Sequence, residues 1–208
     1  MIEDSSPIGI LADSHGQVSL LETAIKILKD SGCYTIVHLG DICDSASMHT
    51  AKDSVDLIQY HNIIAVKGNN DHSVCVSGNP LISKSTQLFL KELPLVVQIQ
   101  NIVFSHSLPF EKELGLSCMI QNLNEFNIQL LINHCASYTV LFRGHSHQPE
   151  LIQSKNGDYE RTQLKYPLDF ELMRDKKYIV TCGAVLNSQC AIFYPKTMMF
   201  CGIIFNRI

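Results

Sequence analysis

The chain has 208 residues, enough to bury a core of several layers, and is expected to form one domain spanning 1–208. With 46% hydrophobic and 17% charged residues it is not a disordered chain, and no stretch approaches the ~18 apolar residues of a membrane span. A net charge of -4 without aromatic–basic tracts argues against a nucleic-acid surface, and the acidic opening "MIEDSSPIGILADSHG" lacks the basic start of a secretory signal, so a cytoplasmic protein is expected.

Along the chain, "IGILA" (8–12) is an apolar run stopped by "DSHG", which predicts a buried strand entering a polar loop. Leu20, Leu21, Ala24, Ile25 and Leu28 then recur at helical spacing, with Gly32 placed to cap the end. "CYTIVHLGD" (33–41) predicts a second strand, "AKDSVDLIQYH" (51–61) a second helix and "NIIAVKGNND" (62–71) a third strand, each strand running into a glycine turn. That rhythm predicts crossover units and a buried parallel sheet. "STQLFLKELP" (85–94) predicts a short helix, and "LVVQI" (95–99) and "NIVFSH" (101–106) predict strands. Residues 116–134 read as a helix, although "IQLLIN" (128–133) also fits a strand. "TVLFRGHSH" (139–147) is a strand running into two histidines, and "KNGD" (155–158) a hairpin turn. Residues 157–177 are polar and weakly patterned; "YIVTCGAV", "CAIFYP" and "MMFCGIIF" close the chain as strands. The last reads as an inner strand, while an exposed edge there would support a homo-oligomer. The eight cysteines (33, 43, 75, 118, 135, 182, 190 and 201) form no CxxC pair and read as reduced core residues.

The polar residues fall just past the predicted strand ends, the edge where open α/β sheets bind ligands. Asp13, His15, Asp41, Asn69, His106, His145 and His147 offer carboxylate, amide and imidazole donors, a mixture suited to borderline divalent metals. Seven donors are too many for one tetrahedral ion and suffice for two if a carboxylate bridges. In extended chain, residues i and i+2 point the same way, so Asp13 with His15, and His145 with His147, are each expected to converge. Glycines 40, 68 and 144 leave room for tight turns beside them.

In order, "DSHG" (13–16), "GDICD" (40–44), "GNND" (68–71), "SHSLP" (105–109) and "GHSH" (144–147) resemble the signature motifs of the calcineurin-like metallophosphoesterases, most closely the small bacterial and archaeal phosphodiesterase- or phosphatase-like members. A weaker likeness extends to "CGAVLNS" (182–188). The resemblance implies an α/β protein, a four-layer α/β/β/α sandwich with a two-metal site. Asp13, His15 and His147 would hold one ion, Asp41 would bridge, and Asn69, His106 and His145 would hold the other. Manganese is the first choice, with iron, nickel or zinc as alternatives. The implied activity is hydrolysis of a small phosphorylated substrate, a phosphodiester or phosphomonoester, by attack of a metal-bridging hydroxide on phosphorus.

One position departs from the pattern. Many relatives carry histidine where this chain has Asn70, and an amide cannot protonate a leaving group at neutral pH, although it can orient substrate. Asn70 and Asp71 join Asp41 as candidate catalytic residues, Asp71 in support of the asparagine turn. Asp44 is expected to stabilise its turn, Ser14, Ser107 and Ser146 to cap loops or touch substrate, and Arg143 to contact phosphate or make an exposed ion pair. His72 reads as an exposed loop residue, and His38, His49, His61 and His134 carry no assigned role. The competing function is a catalytically silent phosphoesterase-like scaffold for protein interaction; against it stands the complete ligand set.

Overall fold

The computed structural model describes residues 6–134 and 138–206; Cys135 and the side chain of His134 lie outside its description. The chain opens with strand β1 (Ile8–Leu11), helix α1 (Val18–Asp30), strand β2 (Thr35–His38), helix α2 (Ala51–Tyr60) and the short strand β3 (Ile64–Ala65). β1, β2 and β3 pair in parallel, as the alternation predicts. The same sheet is then extended antiparallel by β11 (Gln189–Tyr194), β12 (Met199–Ile204) and β9 (Leu168–Glu171), in the order β3-β2-β1-β11-β12-β9. The expected parallel unit is thereby one half of a mixed sheet. β12 is an inner strand, its two neighbours supplying the hydrogen bonds that an edge would leave open.

A second sheet runs β4-β5-β6-β10-β7-β8, from β4 (Val96–Ile99), β5 (Ile102–Ser105), β6 (Val140–Arg143), β7 (Glu150–Lys155), β8 (Asp158–Gln163) and β10 (Lys177–Thr181). Ile10, Val37, Phe193 and Phe200 of the first sheet meet Phe104, Phe142 and Val180 of the second in a shared apolar layer. On the outer face of the first sheet lie α1, α2, α3 (Asn69–Val76) and α4 (Lys84–Glu92), which bury Leu21, Ile25, Val55, Val74 and Leu90. The outer face of the second is covered by the segment from α5 (Glu111–Leu114) to α6 (Glu125–His134), through Met119, Ile128 and Leu131. The architecture is the expected four-layer α/β/β/α sandwich. The α1 stripe Leu20, Leu21, Ala24, Ile25 and Leu28 is wholly buried, its large aliphatic members contributing about 1.5–3 kcal/mol each.

Three segments differ from expectation. Helix α3 begins inside the third motif without an apolar stripe; the Asp71 carboxylate accepts the Gly68 amide at 2.9 Å and starts the helix by capping. Residues 116–134 are not one helix: a 3-10 segment over Gly115–Ile120 gives way to α6, where "IQLLIN" is helical. The polar stretch 157–177 contains β8 and β9, and β8 is an edge strand with five of six residues exposed, which hides the alternation. The "KNGD" hairpin joins β7 to β8 as expected. All seven described cysteines are free, six of them buried, and none of the described helices is long and apolar enough to cross a membrane.

Candidate metal centre

Six of the seven candidate ligands lie on loops at one end of the two sheets and the seventh, Asn69, opens helix α3 there; the structure brings them together. Backbone hydrogen bonds lace those loops: Asp13 N–H to the Gly40 carbonyl, His15 N–H to Asp41, and Gly144 N–H to His106, each at 3.0 Å. The closing segment joins them, as the Val185 and Leu186 amides donate to the carbonyls of Ala12 (2.8 Å) and Asp13 (3.2 Å).

The donors sort into two groups. In the first, His15 Nε2 lies 3.0 Å from His147 Nε2, which lies 3.5 Å from Asp13 Oδ1. In the second, His106 Nε2 lies 3.1 Å from Asn69 Oδ1 and 3.2 Å from His145 Nδ1. Asp41 Oδ2 sits between them, 3.6 Å from His15 Nε2 and 3.5 Å from His106 Nε2, the position a bridging carboxylate would occupy. Asp13 also approaches both sides: its carboxylate, with those of the neighbouring ligands, falls within 4.8 Å in the set Asp13, His15, His147 and again in the set Asp13, Asp41, His106.

Convergence does not arise from extended chain, which corrects the reasoning from alternation. Asp13, His15, Asp41, His145 and His147 all have positive φ, between 45° and 73°. Left-handed backbone costs a non-glycine residue roughly 1–2 kcal/mol, and such strain concentrates at functional sites. Both members of each histidine-bearing pair are turned this way, so each pair curls around its loop. The glycines between them are places of close approach: a Cβ on Gly68 would strike the Asp41 backbone and carboxylate, and one on Gly40 would lie 2.9 Å from His106 Nδ1.

The donor chemistry fits a cation. His106 Nδ1 lies 2.8 Å from the Leu39 carbonyl, which can only accept, so in the neutral ring Nδ1 carries the proton and Nε2 presents a lone pair. That lone pair faces the Asn69 oxygen and the Asp41 carboxylate, acceptors all. A positive ion would satisfy the three together. Protonation states agree: burial is the main cause that lowers the His145 pKa to about 4, with the Arg143 charge adding to it, and the ring stays neutral. Burial alone would raise the Asp13 carboxyl, but the His147 hydrogen bond and nearby histidines outweigh it and hold Asp13 ionised. The same hydrogen bond raises His147 against the effect of burial.

Asn70 is half-buried, with its side chain engaged at both ends. Its backbone N–H and its Nδ2 donate to the two Asp41 oxygens, each at 2.8 Å, and its Oδ1 accepts from Ser45 Oγ at 2.6 Å. Asp71 is fully buried and accepts the Cys43 and Gly68 amides, both at 2.9 Å, tying the second motif to the third. Burial and the Asp41 charge raise its pKa to about 6 against those two amides. Asp44 accepts the Ala46 amide at 2.8 Å and stabilises its own turn, as expected. His72 is half-buried on α3 rather than exposed on a loop, and exposed Ser146 hydrogen-bonds within its own loop.

One neighbour of the site, His38, was missed, and the readings of Ser14 and Arg143 change. His38 is buried beneath the site: Gly40 N–H donates to its Nδ1 at 3.2 Å, so Nε2–H donates to Ser14 Oγ (3.0 Å), which donates to the Ile42 carbonyl (3.1 Å). Burial lowers its pKa to about 3 and leaves it neutral. Ser14 is therefore a link in this chain and not a substrate contact. Arg143 was expected to reach phosphate or an exposed acid; instead it is 2% exposed and bonds to Ser107 and Thr181. A polar side chain at a strand end looks solvent-facing in sequence, but β6 is central and buried along its whole length. Ser107 is likewise buried, donating to the Gln121 carbonyl.

Residues 7–185 match the calcineurin-like phosphoesterase superfamily domain. The chain is 26% identical to "Uncharacterized protein MJ0912" of Methanocaldococcus jannaschii, over 86% of this chain and 76% of that one. It is 37% identical over a shorter stretch to "Phosphodiesterase MJ0936" of the same organism, covering 33% of this chain and 38% of the relative. In fold it is similar to a metallophosphoesterase from Sphaerobacter thermophilus, with a TM-score of 0.78 at 20% identity, covering 97% of this chain and 88% of that structure.

Proposed function

Because the chain belongs to the calcineurin-like phosphoesterase superfamily, whose members are metal-dependent phosphoester hydrolases, we propose that it hydrolyses a small phosphodiester or phosphomonoester at a dinuclear centre. Asp13, His15 and His147 would hold one ion and Asn69, His106 and His145 the other, with Asp41 shared. The observation that carries this reading is the placement of Asp41 Oδ2 midway between the two donor groups, 3.6 and 3.5 Å from His15 and His106. When bound, two divalent ions clamp the phosphoryl oxygens and lower the pKa of a coordinated water. Manganese is the proposed pair, with iron, nickel or zinc as alternatives.

The chain's own residues prepare the rest. Neutral His145 and Nδ1-protonated His106 offer lone pairs to the ions and no competing proton. Asn70 directs its backbone N–H and one Nδ2–H at Asp41 and so orients the shared carboxylate; it supplies no acid for the departing alkoxide. Substrates whose leaving groups are stable as anions are favoured accordingly. The MJ0936 relative, a phosphodiesterase by name, makes a diester the first substrate class to try.

The test is turnover of metal-stripped protein supplied separately with Mn, Fe, Ni, Zn and Mg, on p-nitrophenyl phosphate and bis-p-nitrophenyl phosphate. Hydrolysis restored by one of these ions, with the diester preferred, is expected. Two ions bound and neither ester cleaved would reject the enzyme in favour of a scaffold.

A further inference from the structure

Arg143 is a buried cation with no carboxylate of the described residues in contact with it, and the charges of Asp13 and Glu150 favour it only from a distance. It ends β6, with Ser105 of β5 and Thr181 of β10 directly beside it in register. Phe142 faces the layer between the sheets and Leu141 the helical layer, so alternation sends Arg143 to the helical side. There Nε donates to the Ser107 carbonyl (3.1 Å), Nη2 to Ser107 Oγ (2.9 Å) and Nη1 to Thr181 Oγ1 (3.1 Å). Burial lowers its pKa only to about 10, and it stays protonated at neutral pH. No described carboxylate comes within ion-pairing distance; Glu150 is engaged by Arg161 at 2.5 Å. Burying a cation with neutral partners alone is expensive, and its position gives the reason. Arg143 is two residues before His145, and both its Ser107 bonds fall on the residue after His106.

We infer that Arg143 is a positioning residue: its guanidinium fork fixes the His106 loop against the His145–His147 loop, and so sets the geometry of the His106/His145 half of the metal centre. The inference rests on the dinuclear reading above. Electrostatics and geometry make opposite predictions for it, which lets experiment separate them. A buried positive charge repels divalent ions, so if charge alone mattered, removing it would tighten metal binding. If the fork positions ligands, removing it loosens one ion.

The protein is stripped and titrated with Mn(II) by calorimetry, in parallel with R143M, R143K and S107A, and the thermal midpoint of each metal-free form is measured. R143M is expected to weaken one of the two ions by about 10- to 100-fold, the range for residues that orient metal ligands, and to leave the other within about threefold. R143K keeps the charge but not the fork and should weaken the same ion. S107A should do so less, and the S107A/R143M double variant should lose less than the two single losses combined. The folded framework is expected to survive, because Ser107 O also accepts from Ser105 Oγ and Ser107 Oγ retains the Gln121 carbonyl. Unchanged or tighter binding in R143M, wild-type behaviour of R143K, or equal weakening of both ions with a lowered midpoint would each overturn the inference. Should R143M not fold, R143K decides, since it loses the fork to Ser107 and Thr181 while keeping the charge, and an unchanged affinity in it removes the proposed role. Wild-type protein that binds no ion would instead refute the dinuclear reading itself.

Discussion

The first sheet delivers every oxygen donor to the site, Asp13, Asp41 and Asn69, together with one imidazole, His15; the second delivers three imidazoles, His106, His145 and His147. Their supports differ as well. Beneath the carboxylate side stand His38, left neutral by burial, Ser14, and the Asp71 carboxylate with the backbone amides it gathers. Beneath the imidazole side stands the buried cation Arg143. A cation in contact with Asp13 or Asp41 would compete with a metal for their charge; Arg143 feels Asp13 only from beyond pairing distance. Imidazoles offer no charge to capture, so a guanidinium can hold their loops without stealing a ligand.

The sharpest way to break this comparison is on the carboxylate side. Asp41→Asn keeps the shape and halves the acceptor strength of the shared ligand, and should cost more than ~100-fold in turnover together with the loss of at least one ion, beyond the range of an outer-sphere change. Retention of two tight ions at full turnover would remove Asp41 from the centre. Next comes His38→Gln, which deprives Ser14 of a buried partner and should cost about 1–3 kcal/mol of stability, measured by urea unfolding. The pH dependence follows in sign: the folded pKa of His38 lies near 3 against an ordinary 6.5, so its stabilisation is complete above about pH 6.5 and is lost as pH falls toward 3. In metal-free protein this contributes a slope of at most about 1.4 kcal/mol per pH unit, which H38Q should abolish. An identical pH profile in the variant would show that His38 titrates normally.

Asn70→His sharpens the comparison by adding an acid on the carboxylate side. If absent protonation limits turnover, this change should raise rates on alkyl esters by about 10-fold or more while leaving p-nitrophenyl esters nearly unchanged. An equal effect on both would mean that Asn70 acts only by holding Asp41. The smallest effect is expected from Glu150→Gln beyond the imidazole hook. Its partner Arg161 is half exposed, so the loss should stay within about 1 kcal/mol, read as a small shift in the thermal midpoint.

How far the sequence could be read depended on which physics made each element. β1, α1 and β2 were legible because burial alone shapes them, and burial writes itself as apolar runs and stripes. Helix α3 was not, because a single carboxylate, Asp71, caps it and no hydrophobic face announces it. β8 was hidden because an exposed edge strand needs few apolar residues. At the site, the donor types and their strand-end positions were visible, but the left-handed backbone that makes Asp13, His15, His145 and His147 converge was not, since ordinary side chains seldom adopt it. His38 was passed over and Arg143 misplaced at the surface for a related reason: a polar residue on a strand looks like a surface residue until the neighbouring strands that bury it are known.

The most direct test of the central claim is the number of ions per chain, counted by elemental analysis of protein reconstituted with increasing Mn(II), with bis-p-nitrophenyl phosphate turnover measured on the same samples. The account predicts two ions per chain in the wild type, with turnover rising as the second is filled, and fewer than two in Asp41→Asn. Full hydrolysis with one ion or none, or two ions held as tightly without the Asp41 carboxylate, would contradict it.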